Sequence, residues 1–158
     1  MKPNKTERGQ SLVEFAISLT IILFLLAGAV EFGIALFQFI QLRDAAQEGA
    51  LYGSICPRDD TKIENRVRNA SYSPLDLTIA SGPDAVDINV EGRVGNDPTA
   101  SKSLSSVVSG DGIYVEASYD HRIFMPFVPE FIGSKTIQIR AFVIDTVLDT
   151  DMSKPECQ

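Results

Sequence analysis

A chain of 158 residues with a net charge of −7 has room for one small domain beside a membrane segment and no more. Its 21 Asp and Glu against 14 Lys and Arg exclude the clustered basic footprint of a nucleic-acid binder. Two cysteines, one histidine and no CxxC pair leave no zinc site, no other metal set and no cofactor motif to expect.

The first nine residues are basic on balance, with Lys2, Lys5 and Arg8 against Glu7, and Gly9 closes the stub. Ser11 to Ile40 is then mostly Leu, Ile, Phe, Ala and Val, without proline, and its only charges are the carboxylates Glu14 and Glu31. Crossing a bilayer takes about 20 apolar residues at about 1.5 Å of rise each, so this run is long enough. A helix is the form that satisfies its backbone in lipid. Gln41 to Ala50 continues in good helix formers, and Gly49 and Gly53 are the expected ends. The expectation is one unbroken helix of about forty residues. The basic excess precedes the span, whereas Arg43 beyond it is offset by Asp44 and Glu48. The N-terminus is therefore expected in the cytoplasm and the C-terminal part exported.

Within the span a mid-membrane carboxylate costs about 2.5–3.5 kcal/mol, less near the interface. Two readings of Glu14 follow. It lies close enough to the cytoplasmic surface to snorkel, or it meets a cation in an assembly. A cut between Gly9 and Gln10 would free an α-amino group, ordinarily titrating at about 7.7–8.0, which could reach Glu14 of a neighbouring subunit. Glu31 divides similarly, between an interfacial residue and a buried polar contact within an assembly. Ala29 and Gly33, four apart, are either tolerated small residues or a close helix–helix contact. Ala27-Gly28-Ala29 fits ordinary signal peptidase cleavage, against which the apolar core runs longer than the usual stretch of about 7–15 residues.

Cys56-Pro57 breaks the chain after the helix. Cys56 and Cys157 both fall on the exported side, where an oxidising compartment favours a disulfide over two free thiols. Thr61 to Ala70 places Ile63, Val67 and Ala70 on one face of a short amphipathic helix, with Thr61 and Glu64 as a capping box. From there the apolar period becomes two: Leu75, Leu77, Ile79; Val86, Ile88, Val90; Ile113, Val115, Ala117; Ile137, Ile139, Ala141. Such alternation predicts half-buried antiparallel strands. Their apolar face needs helices to cover it, which makes the fold class α+β. Residues 92–112, rich in Gly, Ser and Asp, are expected to be mobile, and Asp97 and Asp111 lack the spacing of a Ca²⁺ loop. His121 to Gly133 (HRIFMPFVPEFIG) is either a cover for the core or an exposed apolar docking surface. The acidic tail from Asp145 to Gln158 reads as solvated and frayed, with Cys157 as the residue that could pin it.

Arg8 to Ala16 (RGQSLVEFA) ahead of a long apolar helix resembles the class III signal of type IV pilin-like proteins. With Glu31-Phe32-Gly33 and Asp44 to Gly53 (DAAQEGALYG), the first part of the chain resembles the TadE-like pseudopilins of the Tad (Flp) pilus system, which usually carry a basic residue where Leu51 stands. The resemblance implies a pilin-like α+β fold: a cleaved leader at 1–9, a transmembrane and extended helix at 10–53, and an exported domain at 54–158 with a small antiparallel sheet and one short extra helix. It implies cleavage between Gly9 and Gln10 by a prepilin peptidase, with Glu14 and Phe15 acting in assembly. Expected partners are that peptidase, other Tad pilus subunits, assembly-platform membrane proteins and the membrane itself. The expected place is the inner membrane, single-pass, with possible entry into a pilus as a minor subunit, since the exported domain is too long for the short major pilin. The competing reading is a signal-anchored protein whose exported domain binds something unrelated to pili. An enzyme is disfavoured by the lack of any Ser/His/Asp or Cys/His arrangement or phosphate loop.

Overall fold

The structure is a computed structural model that describes residues 5–157; residues 1–4 of the expected leader, Lys2 among them, and Gln158 lie outside the described residues. Helix α1, Lys5–Ile55, is unbroken over 51 residues. It runs past both glycines expected to end it. Leu42, Ala45, Ala46, Gly49, Ala50 and Gly53 are all buried, and their spacing of three or four makes one stripe along the helix. A Cβ on Gly53 would stand 2.8 Å from Ile113 Cγ2 and 3.2 Å from Ile63 Cδ1, and one on Gly49 would collide with Val67 Cγ2. These glycines stand inside the helix because the neighbouring elements come too close for a side chain, a tertiary demand that overrides helix propensity.

The element against them is α2, Asp60–Asn69, whose Ile63 and Val67 are buried. Its N-cap is Asp59, which accepts from Lys62 N at 3.0 Å, so the capping box expected at Thr61 is not the one used. No strand forms at 75–79. Leu75 and Leu77 are buried as expected of apolar residues, but the backbone there is held by side chains. Gln41 Nε2 donates to Leu75 O at 2.7 Å, and Arg68 donates to Leu77 O at 3.1 Å. With those groups engaged and no partner strand alongside, the alternation marks a loop with its apolar residues turned inward.

The sheet has four antiparallel strands, β1 Val86–Arg93, β2 Ser101–Lys102, β3 Gly112–Arg122 and β4 Thr136–Thr146, in the order β2-β1-β3-β4. Ala117 is the centre, opposite Ile88 on one side and Ala141 on the other. Val86, Ile113, Val115, Ala117 and Ala141 join the stripe of α1 and the two apolar residues of α2 in one core. The segment 92–112 is better organised than its composition predicts. It contributes β2, buries Val107, and is tied by Asp111, which accepts from Lys102 Nζ at 2.5 Å, Val108 N at 2.9 Å and Gly95 N at 3.3 Å. Those donors hold the Asp111 carboxyl well below its ordinary value, at about 2, with the Lys102 bond the first cause.

The tail is not frayed. Val147 is buried and donates to Asp111 O at 2.7 Å, and Leu148 N donates to Ser54 O at 2.9 Å. Cys56 and Cys157 form a disulfide with Cα atoms 5.6 Å apart, and Lys62 Nζ donates to Cys157 O at 2.8 Å. The C-terminus is thereby fastened to the end of α1. Strand β3 descends α1 in the opposite sense, with Ile113 beside Gly53, Val115 beside Gly49 and His121 beside Glu31. The turn between β3 and β4 consequently lies at the end of the domain nearest the bare part of the helix.

Candidate functional site

Residues 9–26 of α1 are exposed, with the Phe127 ring reaching Phe24, and from Ala27 onward one side is covered. The bare part is about 27 Å long at about 1.5 Å per residue, close to a hydrocarbon core of about 30 Å. Among the described residues, α1 is the one helix long and apolar enough to cross a membrane. Gly9 and Gln10 are exposed on its first turns, with nothing within 4 Å of a Cβ placed on Gly9. Glu14 stands one turn beyond Gln10 on the same face. It is exposed, as is Phe15 beside it. Ala29 and Gly33 also face outward, and a Cβ on Gly33 would meet nothing within 4 Å. The chain itself packs against the neighbouring glycine, since a Cβ on Gly28 would lie 3.7 Å from the Met125 methyl group. The expected residues thus share one helix, and none is covered by the domain.

Where the covered side begins, the structure builds a clasp that neither reading of Glu31 included. Glu31 Oε1 accepts from Phe124 N at 3.0 Å and stands 3.0 Å from His121 Nε2. His121 is 2% exposed, and its ring meets Phe124 edge-on at 6.2 Å. A carboxylate on an apolar helix needs donors. This one takes them from its own chain, so that Glu31, a backbone amide and the single histidine fix the end of β3 to α1. Sequence offered two cues, a second acid in the apolar run and a single histidine at a strand end. The pairing joins residues 90 positions apart, which no local pattern reveals.

Beyond the clasp, the turn between β3 and β4 folds down beside α1. It carries a short helix, α3, Val128–Ile132, entered through Phe127 at φ 69°. An aromatic residue in the left-handed region is uncommon and costs on the order of 1–3 kcal/mol. Here it places the Phe127 ring 6.0 Å from that of Phe24. Met125 and Val128 line an apolar hollow of 240 Å³ against Gly28, Phe32 and Ala35, while Phe124, Phe127, Phe131 and Ile132 remain exposed. Some apolar side chains of this turn therefore lie against the helix and others face outward. No cluster of three or more His, Cys, Asp or Glu suited to a metal occurs among the described residues. The arrangement offers a helix, a clasp and apolar surface, which are the means of anchoring and association.

Residues 9–51 match the family model described as TadE-like protein, the family that the motifs resemble. The match runs from the glycine before Gln10 through the clasp residue Glu31 to the small-residue stripe on which the sheet packs. Neither a curated protein nor a solved structure matches the chain.

Proposed function

We propose, starting from a TadE-like membrane helix, that this chain is a Tad pilus-associated, pilin-like subunit and not an enzyme. It is held in the inner membrane by a single span, with its N-terminus in the cytoplasm and its C-terminal domain exported. It acts as a minor subunit in pilus assembly or at the pilus tip. The observation that carries the reading is a bare stretch of α1 of membrane length, with Gly9 and Gln10 exposed on its first turns and an exposed Glu14 one turn beyond Gln10. Residues 1–9 serve as the leader, 10–53 as the helix and 54–158 as the exported domain. A prepilin peptidase cuts after Gly9. The freed amine of Gln10 pairs with Glu14 of an adjacent subunit, which offsets the cost of a carboxylate in the span. Phe15 packs at the same level. Ala29 and Gly33, open on the outward face, admit a close approach by another helix of the assembly. Other Tad subunits and the assembly-platform membrane proteins are the partners.

The test is N-terminal sequencing of the protein recovered from membranes with an active prepilin peptidase. A mature chain beginning at Gln10, and full-length precursor for Gly9→Leu, are the expected results. An uncut wild-type chain in those membranes would leave a signal-anchored protein unrelated to pili. A new N-terminus after Ala29 would make the exported part a secreted soluble protein.

A further inference from the structure

We infer that the turn between β3 and β4, residues 123–133, is a second membrane contact, seated in the outer leaflet beside the span. The inference rests on α1 crossing the bilayer, as proposed above, and goes beyond it by giving the exported domain its own lipid surface. The level of the turn carries it. Counted from Ser11 at about 1.5 Å per residue, Phe24 lies about 20 Å along the span, Gly28 about 25 Å and Glu31 about 30 Å, in a hydrocarbon core about 30 Å thick. Met125 packs at Gly28 and Phe127 at Phe24. With Ser11 placed at the inner boundary, the clasp at Glu31 stands at the outer one, and the turn reaches about 5–10 Å below it, the depth of an interfacial apolar element.

Composition fits that depth. Phe124, Phe127, Phe131 and Ile132 are 73%, 62%, 89% and 51% exposed, an apolar surface continuous with the bare helix. In water such a patch is costly; against acyl chains it is not. Part of the backbone is prepared for the same place. Irregular chain in lipid is tolerated only where its polar groups are satisfied. Pro126 and Pro129 have no N–H. Ile123 N donates to Lys135 O, Phe124 N to Glu31, Phe131 N to Phe127 O and Gly133 N to Pro129 O. The charges sit at the edge. Glu130 shares a hollow with Arg122 and Lys135 at the base of the hairpin, and Arg122 also pairs with Asp84 at 3.3 Å; at headgroup level Lys135 is the cation that meets lipid phosphate.

The chain contains no tryptophan, so single reporters read depth directly. Full-length Phe127→Trp and Phe131→Trp, in vesicles of phosphatidylethanolamine and phosphatidylglycerol, are compared with Leu19→Trp in the span and Tyr72→Trp, exposed on the domain about 15 Å beyond Glu31 at the level of Gln41. Phe131 is so exposed that the fold does not depend on it. The expected result is blue-shifted emission at 127 and 131, lost to brominated acyl chains as at 19 and resistant to acrylamide, while 72 is quenched by acrylamide alone. If 19 is quenched by brominated lipid but 127 and 131 only by acrylamide, the turn is in water and the inference falls with the span intact. Shielding of 127 and 131 from both quenchers would mean a protein cover, a second copy of the chain, and would also overturn it. If 19 itself escapes brominated lipid, the span has failed and the inference with it.

Discussion

Replacing Gly53 by alanine tests whether closeness or helix termination explains the glycines of α1. A Cβ at 53 would lie 2.8 Å from Ile113 Cγ2 and 3.5 Å from Ile113 Cβ, where carbon atoms pack best at about 3.5–4.0 Å. One side must therefore move by roughly 0.7 Å. Ile113 cannot yield easily, because it is fully buried on β3, which is hydrogen-bonded between β1 and β4. Overpacking of this kind costs about 1–3 kcal/mol. Alanine in place of glycine returns about 0.8–1.0 kcal/mol of helix propensity. The net loss centres on about 1 kcal/mol, which for a domain of this size lowers Tm by about 4 °C. Thermal melting in detergent micelles, followed by circular dichroism, measures it. Gly33→Ala, where a Cβ meets nothing within 4 Å, supplies the control in which propensity acts alone. In the double variant with Ile113→Ala the loss should fall short of the sum of the single losses by about 2 kcal/mol, the overpacking cost itself, since the clash is gone while the propensity gain stays. A Gly53→Ala protein that melts at or above the wild-type temperature would refute the packing account.

Cys157→Ser opens a loop with a sequence separation of 101. Chain-entropy reasoning gives up to about 4.7 kcal/mol for a closure near that size, with about 2–4 typical; melting with and without reductant should show the same drop in wild type and none in the variant. Glu31→Ala removes the acceptor of Phe124 N and strands the buried His121, a loss of about 2–3 kcal/mol, and proteolysis should then cut first between β3 and β4; unchanged protection there would remove the clasp from the account. Asp111 binds its proton at about 2 in the folded chain against 3.8 ordinarily. Its contribution is complete above about pH 4 and is lost as pH falls through that window. Comparing the acid limb of Asp111→Asn with wild type isolates it from Asp76, Asp97, Asp149 and Asp151, whose carboxyls are also lowered; identical limbs would count against the bond network.

The sequence by itself determined what depends on neighbours along the chain. Thirty mostly apolar positions make a helix long and apolar enough to cross a membrane, a period of three to four on α2 buries Ile63 and Val67, and alternation at Val86, Ile113 and Ile137 marks the starts of three strands that formed. The motifs around Gly9 and Asp44 were enough to point to the family whose model matches residues 9–51. The tertiary structure decided what depends on distant partners. Alternation at Leu75 and Leu77 yielded a loop because Gln41 and Arg68 occupy its backbone. Gly49 and Gly53 look like helix ends until α2 and β3 come within contact of them. Val147 and Leu148 look solvated until Asp111 and Ser54 take their amides. Glu31 reads as a lone acid until the chain brings His121 to it. Local periodicity records which face of an element is apolar, but not what covers that face, because the covering residue is chosen by the packing of the whole chain.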